Sequence, residues 1–472
     1  MLSLLLLFLP GYIYDHHDWL NLPAMDRVVS ISGDNYSGFV GVTRGVYEID
    51  RGSRKLVHTF TSADGIRGEV RAVYYDPKMN LLWILSSGNL LALNPFSDVA
   101  TSYPLPEPEV NSLGAGTDHI YLASPTGSHR MSKLGGVYDT LSPARDKVAW
   151  YGSLADGKAS DYGFLTPYAH YDKEMNRHPI TTVFREGRWL WVGTEGYGAL
   201  LYNAVTGTLV GQWQLGPAIS RVRSIFNSQG SIWFAGDEML TRYSPQRDTW
   251  AWFPTPFNIF YLDSSLLLRS KVLDLAHHEP ILAVAEDTLG SWLGTTEGIY
   301  YYTPKGNVLT QHLLLKSRAN AILIDRDSVF IGTDDGLIRY DRASRAWSLF
   351  NDTMQQMHFG AFGVATTSRR RYYAVYGGFE TQDSLADWEL LTPPGWNLSM
   401  HPEALAAVGN RLFAGSDDGV IVYDERTGAY SVLNTDSGLL SNRVFSLCAD
   451  PDYLWIATDA GISRFNLHAL FP

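Results

Sequence analysis

Apolar residues in this chain come in short runs separated by turn-forming positions, and almost nowhere do they recur at the helical period of about 3.6. One run returns again and again: an aromatic residue, an aliphatic or small one, usually a small one, then a polar turn and another apolar pair. Its cleanest copies are Trp191-Val192-Gly193-Thr194, Phe330-Ile331-Gly332-Thr333, Phe413-Ala414-Gly415-Ser416 and Trp455-Ile456-Ala457-Thr458. Further copies begin at Phe39, Trp83, Tyr121, Trp233, Trp292 and Tyr373. Two intervals are long, 70 residues from Tyr121 to Trp191 and 59 from Trp233 to Trp292; the others run from 38 to 44. A fixed period of this size marks a repeat architecture, in which each unit buries its core against its neighbours.

Within a unit the pattern predicts strands. Ala404–Val408, Leu412–Gly415, Val420–Tyr423 and Tyr430–Leu433 are four short β-rich runs divided by turn residues, as an antiparallel meander requires. Asp334-Asp335-Gly336 and Asp417-Asp418-Gly419 are expected to turn the second strand into the third, and Thr206-Gly207 and Thr427-Gly428 the third into the fourth. A repeated four-stranded unit of about 40 to 45 residues reads as a β-propeller blade, so the predicted fold class is all-β. The chain opens on an apparent fourth strand, Asp18-Trp19-Leu20-Asn21-Leu22, and closes after a third, Gly461-Ile462-Ser463-Arg464-Phe465. Such complementary ends predict a closing blade shared between the termini, which leaves no half-finished sheet. The expectation is about ten units in one ring; seven or eight blades with insertions, or two smaller rings, are the alternatives. The propeller is assigned to residues 15–472, with insertions near 142–179 and 254–271.

Bulk properties narrow the partners. Hydrophobic residues make up 45% and aromatic residues 13%, ample for a strand-built core. Against 49 acidic residues stand 37 basic ones, a net charge of -12, and the longest basic run is Arg369-Arg370-Arg371. That leaves no basic face for phosphates and excludes a nucleic-acid partner. The single cysteine, Cys448, excludes an internal disulfide framework and a thiolate metal cage; its apolar surroundings predict a small buried hydrophobe. Leu4-Leu5-Leu6-Leu7-Phe8-Leu9 is too short to span a bilayer at roughly 20 residues. Residues 1–14 resemble a signal peptide, although the basic residue before the run is missing and Gly11-Tyr12-Ile13-Tyr14 stands in place of a small-x-small cleavage site. The expected location is periplasmic or secreted, with a cytoplasmic one as the alternative, and no transmembrane segment is expected.

The copies at Leu190–Gly196 and Phe330–Asp341 resemble the two-component regulator propeller repeat, and Asp436–Leu447 resembles that family's link from one blade to the next. The resemblance extends over nearly all of the chain after Trp19 and implies a bacterial propeller. Such propellers serve as extracytoplasmic sensors of hybrid histidine kinases, often tuned to polysaccharide fragments, or occur in envelope-associated and secretion-system proteins. With no kinase, receiver or DNA-binding segment in the sequence, the resemblance implies the sensing or docking module by itself.

Candidate chemistry is sparse. The tryptophans at repeat starts share one strand position with phenylalanines, so blade-to-blade packing rather than sugar stacking is expected of them. The paired aspartates read as turn formers. His16-His17 and His277-His278-Glu279 would point their imidazoles to opposite faces of a strand and form no chelate, so neither metal nor cofactor is expected. No nucleophile motif, HExxH or phosphate-binding loop is present, and the chain is read as a non-enzyme. The two long intervals carry the aromatic residues that the repeat does not explain. Trp150, Tyr151, Tyr162, Phe164, Tyr168 and His170 in the first, with Phe257 and Tyr261 in the second, are the candidate ligand-binding set. Both insertions follow a fourth strand and are expected to crowd one face of the ring, where a glycan or another extracellular ligand could stack on them. The competing expectation is that these rings only pack the long loops. An envelope or secretion-system protein that docks a protein partner is the second functional reading, and a polysaccharide lyase or hydrolase the third.

Overall fold

The computed structural model describes residues 18–470 apart from 98, 140–147, 153–158, 166–168, 173–174, 229, 237–238, 255–280, 287–288, 297, 304–307, 313–316, 351–359, 376–377, 383–387 and 393–403. The described residues form ten antiparallel sheets, nine of four strands and one of five. Blades are numbered here by their inner strands: Val28–Gly33, Val70–Asp76, Ser112–Ala115, Arg177–Glu186, Ser224–Ser228, Ile281–Glu286, Ala319–Asp325, Gly363–Thr366, Leu405–Val408 and Val444–Ala449.

The recurring phrase is the second strand of each blade, and its small final residue has a structural cause. Thr295, Thr333, Ser416 and Thr458 end that strand, and each hydroxyl donates to the carbonyl of the glycine three residues on, at 2.7–3.1 Å. The glycine alone takes positive φ, 122° at Gly336, while the amide of Asp335 donates to Thr333 Oγ1. The aromatic residue that starts the phrase is buried between blades. Trp83, Trp191, Trp233 and Trp455 are among the largest fully buried side chains, as the register argument predicts.

The shared closing blade is present. Trp19–Pro23 pairs with Gly461–Asn466 as the outer strand of the tenth blade. It does not, however, close one ring of ten. The inner strand of blade four lies against that of blade one, and the inner strand of blade ten against that of blade five. Thr181 Oγ1 donates to the Val28 carbonyl at 2.5 Å across the first seam, and the Ile225 amide donates to Ser446 Oγ at 3.0 Å across the second. The blades therefore fall into two groups, one to four and five to ten, each returning on itself, and the two-ring alternative replaces the single ring. The ends are complementary because both belong to the second ring; the first is inserted between the outer strand of blade ten and the rest of that ring.

Inner strands are stitched by serines. Ser30 and Ser32 of blade one accept the Val73 and Tyr75 amides of blade two at 3.1 and 2.9 Å, and Ser446 plays the same part between blades ten and five. A core joins the two groups: Leu22, Met25, Ala218 and Trp252 pack with Val40, Tyr47, Trp191 and Trp213. The basic run is consumed locally, Arg370 by Glu389 and Arg371 by Asp325.

Cys448 is partly buried against the core of Val222, Ile225 and Trp455, where the sequence predicts full burial. Burial, and secondarily the nearby Asp450, push its thiol up to about 12. Iodoacetamide at about pH 8 is expected to leave the folded protein unlabelled and to label it in denaturant; full labelling of the native form, read by mass spectrometry, would contradict this placement.

Candidate functional site

The first of the two long intervals places its leading residues on the axis of the first group of blades, not in a surface loop. Ala149–Gly152 forms a strand that pairs with Ser112–Ala115 on its inner side, so blade three carries its last strand inside rather than outside. Two glycines make room. A Cβ on Gly114 would fall 2.7 Å from Val148 and 3.0 Å from Trp150, and Gly152, with φ 85°, lies against the Asn111 and Arg71 carbonyls.

This axial strand meets the other inner strands through rings. Tyr151 packs on Tyr74 of blade two at 5.2 Å and on Phe184 of blade four at 6.1 Å. Burial pushes its phenol up to about 12, so it remains a neutral hydroxyl at physiological pH. Trp150, half-buried, borders a pocket of about 230 Å³ with Ser30, Thr182, Phe184 and Arg185. The pocket offers ring faces, hydroxyls and one guanidinium, and among the described residues its lining contains no carboxylate and no imidazole. Thr182, Phe184 and Arg185 escaped the sequence reading because they sit in a regular strand with nothing local to mark them. Only their position opposite the Trp191 phrase ties Phe184 to the axis.

Tyr162, Phe164 and His170 come together elsewhere, on blade four. Tyr162 lies 6.0 Å from Phe164, which lies 5.7 Å from Tyr202; Tyr202 Oη shares a 2.9 Å hydrogen bond with His170 Nδ1. Tyr197 stacks between His170 and His178, at 5.1 and 4.4 Å, and His178 Nε2 lies 3.1 Å from Asp172. Burial and the adjacent His178 lower the His170 pKa, which favours its neutral form. Asp172 is held below the usual carboxylate range: its burial acts upward, but hydrogen bonds from Asn176 and His178 outweigh it. Beneath these groups Ala159 and Leu165 join the core of Val183, Leu190, Val192 and Leu200. This part of the insertion thus covers a blade face, which is the packing role expected of long loops. Tyr168, Phe257 and Tyr261 lie outside the described residues, as do His16-His17 and His277-His278. Among the described residues no group of three metal-ligating side chains is gathered, and no helix is long and apolar enough to cross a membrane.

Comparison with known proteins agrees with the all-β repeat fold. Residues 438–460 match the family described as two component regulator propeller, so the segment that links blades nine and ten and opens blade ten is a repeat of that kind. No curated protein matches the chain. Among solved structures it is similar to PorZ of Porphyromonas gingivalis, described as an essential bacterial surface component of the type-IX secretion system. That match has 12% identity and a TM-score of 0.52, and covers 95% of this chain and 87% of the other. It is also similar, at 15% identity and a TM-score of 0.37, to the extracellular domain assigned to the hybrid two component system BT4673 of B. thetaiotaomicron, with 92% of this chain and 69% of that one covered.

Proposed function

We propose that this all-β propeller chain, built on two-component-regulator repeats, is an exported, non-catalytic ligand-binding module that recognises a glycan or another extracellular ligand in the axial pocket of its first four blades. The observation that carries the reading is the strand Ala149–Gly152, which brings Trp150 and Tyr151 to a pocket also bordered by Phe184 and Arg185. Aromatic faces beside hydroxyl and guanidinium donors suit a sugar, which presents both C–H faces and acceptor oxygens. The described lining is made of rings, hydroxyls and one guanidinium, groups that hold a ligand, which favours binding over a lyase or hydrolase. A glycan array with the purified protein, followed by calorimetry on the hits, tests the reading. Trp150→Ala is expected to weaken binding about tenfold while leaving the melting temperature unchanged. Unchanged affinity would remove the axial pocket from consideration.

A second reading is an envelope or secretion-system assembly protein that docks a protein partner. Its support is the fold likeness to PorZ over nearly the whole chain. Recovery of one envelope protein by affinity purification, with no hit on the array, would favour it over glycan recognition.

A further inference from the structure

A second cavity, of about 470 Å³, lies between the two groups of blades and shares no residue with the axial pocket. Its floor is made by two interblade linkers that are structural copies of each other. Thr61 caps the 3-10 turn Ser62–Asp64 and Asn434 caps the turn Thr435–Ser437, each through a reciprocal capping box. Gly65 and Gly438 then take φ of 100° and 107°, and Ile66 and Leu439 follow as buried anchors. One linker comes from each group, and the two turns abut.

The walls carry opposed polar groups. From the first group come His58 and Asp64, 3.8 Å apart. From the second come Tyr243, whose hydroxyl donates to Asp248 at 3.2 Å, and Arg464, whose guanidinium lies 4.4 Å above the Tyr453 ring. Burial pushes the Tyr243 phenol up to about 12 and the neighbouring Asp248 adds to the rise, so it stays a donor. At the floor sits Trp19. It is only 9% exposed, packs on Phe465 at 4.6 Å with its pyrrole edge against Gly438, and its buried indole N–H has no acceptor among the described residues. A buried donor left unmatched costs about 1–3 kcal/mol unless something else satisfies it.

We propose that this cleft is a binding site for an uncharged saccharide held by both groups of blades at once. The carboxylates of Asp64 and Asp248 accept from sugar hydroxyls, while Arg464 and the Trp19 indole donate to sugar oxygens. Asp436 of the linker adds a third carboxylate to the lining, against one guanidinium. That balance disfavours sulfated or uronate chains, which would bring like charge to the acids. Because the walls belong to different groups of blades, an occupant ties them together and stabilises their relative placement.

The test uses the full chain with named probes: cellohexaose, maltohexaose, xylohexaose and mannohexaose as neutral saccharides, and a hexagalacturonate and a heparin hexasaccharide as charged ones. Saturation-transfer NMR and calorimetry should show saturable binding of at least one neutral probe and weaker binding of both charged ones. Asp248→Asn keeps the shape of an exposed side chain at φ 50°, a conformation asparagine also adopts, and is expected to weaken the neutral probe about tenfold. His58→Gln is the second variant, expected to act in the same direction, with melting curves confirming that both fold. Loss of neutral-probe binding in Trp150→Ala, with full affinity in Asp248→Asn and His58→Gln, would assign the probe to the axial pocket and overturn the cleft, so the two sites fail distinguishably. Absence of binding by all four neutral probes, equal or tighter binding of a charged probe, or full affinity in both folded variants would overturn the proposal.

Discussion

Replacing Lys133 with methionine is expected to cost about 3–5 kcal/mol of stability, because it leaves a buried carboxylate without its partner. Lys133 Nζ lies 2.5 Å from Asp76 Oδ2, with the two side chains 7% and 4% exposed, and 3.3 Å from the Tyr74 hydroxyl. The pair joins the end of blade two's inner strand to the end of the Gly127–Ser132 strand of blade three, beside the Tyr74 ring that supports Tyr151. Burial raises the Asp76 pKa, but the hydrogen bond and charge of Lys133 lower it further, and the net direction is downward. A folded-state pKa below the unfolded one contributes stability that is present above the unfolded carboxylate value and is lost as pH falls through the folded one. Without Lys133 the Lys78 amide still donates to the carboxylate, but the largest lowering contribution is gone, so burial weighs more heavily and protonating Asp76 relieves the variant. Urea melts of the two proteins should therefore differ most near pH 7 and converge toward about pH 4. A deficit that does not change with pH would assign the loss to packing of the lysine stem instead. The double variant Lys133→Met with Asp76→Leu should recover much of the loss, since it removes the stranded charge.

Blade identity was legible because one strand position is under the same constraint in every unit. An aromatic ring must fill the wedge between blades, and in blades six, seven, nine and ten a hydroxyl followed three residues later by a glycine closes the turn, as Thr333 and Gly336 do. The shared closing blade was legible for a similar reason, since Trp19–Pro23 and Gly461–Asn466 each lack what the other supplies. How the blades group was not. The interface of blade four with blade one uses Trp191 against Val28 and Val40, the same residue types that join sequential blades, so nothing in the repeat says which neighbour it faces. The axial strand was hidden for another reason. Ala149–Gly152 is four residues long and sits among aromatic and polar residues that read as a loop. Its only outside signal is Gly114, a glycine at the position where the other three inner strands of its group carry Ser32, Tyr74 and Phe184. The cleft between the groups depends on chain segments more than 400 residues apart, such as His58 and Arg464, and one sequence alone does not show that they meet. The linker copy at Thr61–Ile66 was findable, because Thr-x-x-Asp-Gly there parallels Asn-x-x-Ser-Gly at 434–438.

Trp191→Ala is the substitution that tests the two-group architecture most directly. Its ring covers Gly38 of blade one so closely that a Cβ there would fall 2.6 Å from it, and it stacks on Trp213 at 4.9 Å. Removing a fully buried indole typically costs about 3–5 kcal/mol, the lost transfer energy plus the cavity left behind. Here the cavity opens at two places together, because the same cluster contains Met25, Ala218 and Trp252 from the junction between the groups. The seam that closes blades one to four and the contact that docks them on blades five to ten should therefore weaken in concert, and thermal unfolding followed by near-UV circular dichroism should shift as a single transition. Gly38→Val approaches the same seam from the other side: it leaves Trp191 in place and forces the blades apart, so it is expected to destabilise the protein while opening no cavity. If Trp191→Ala costs less than about 1 kcal/mol, or if Gly38→Val is neutral, blade four does not rest on blade one and the first four blades do not close on themselves.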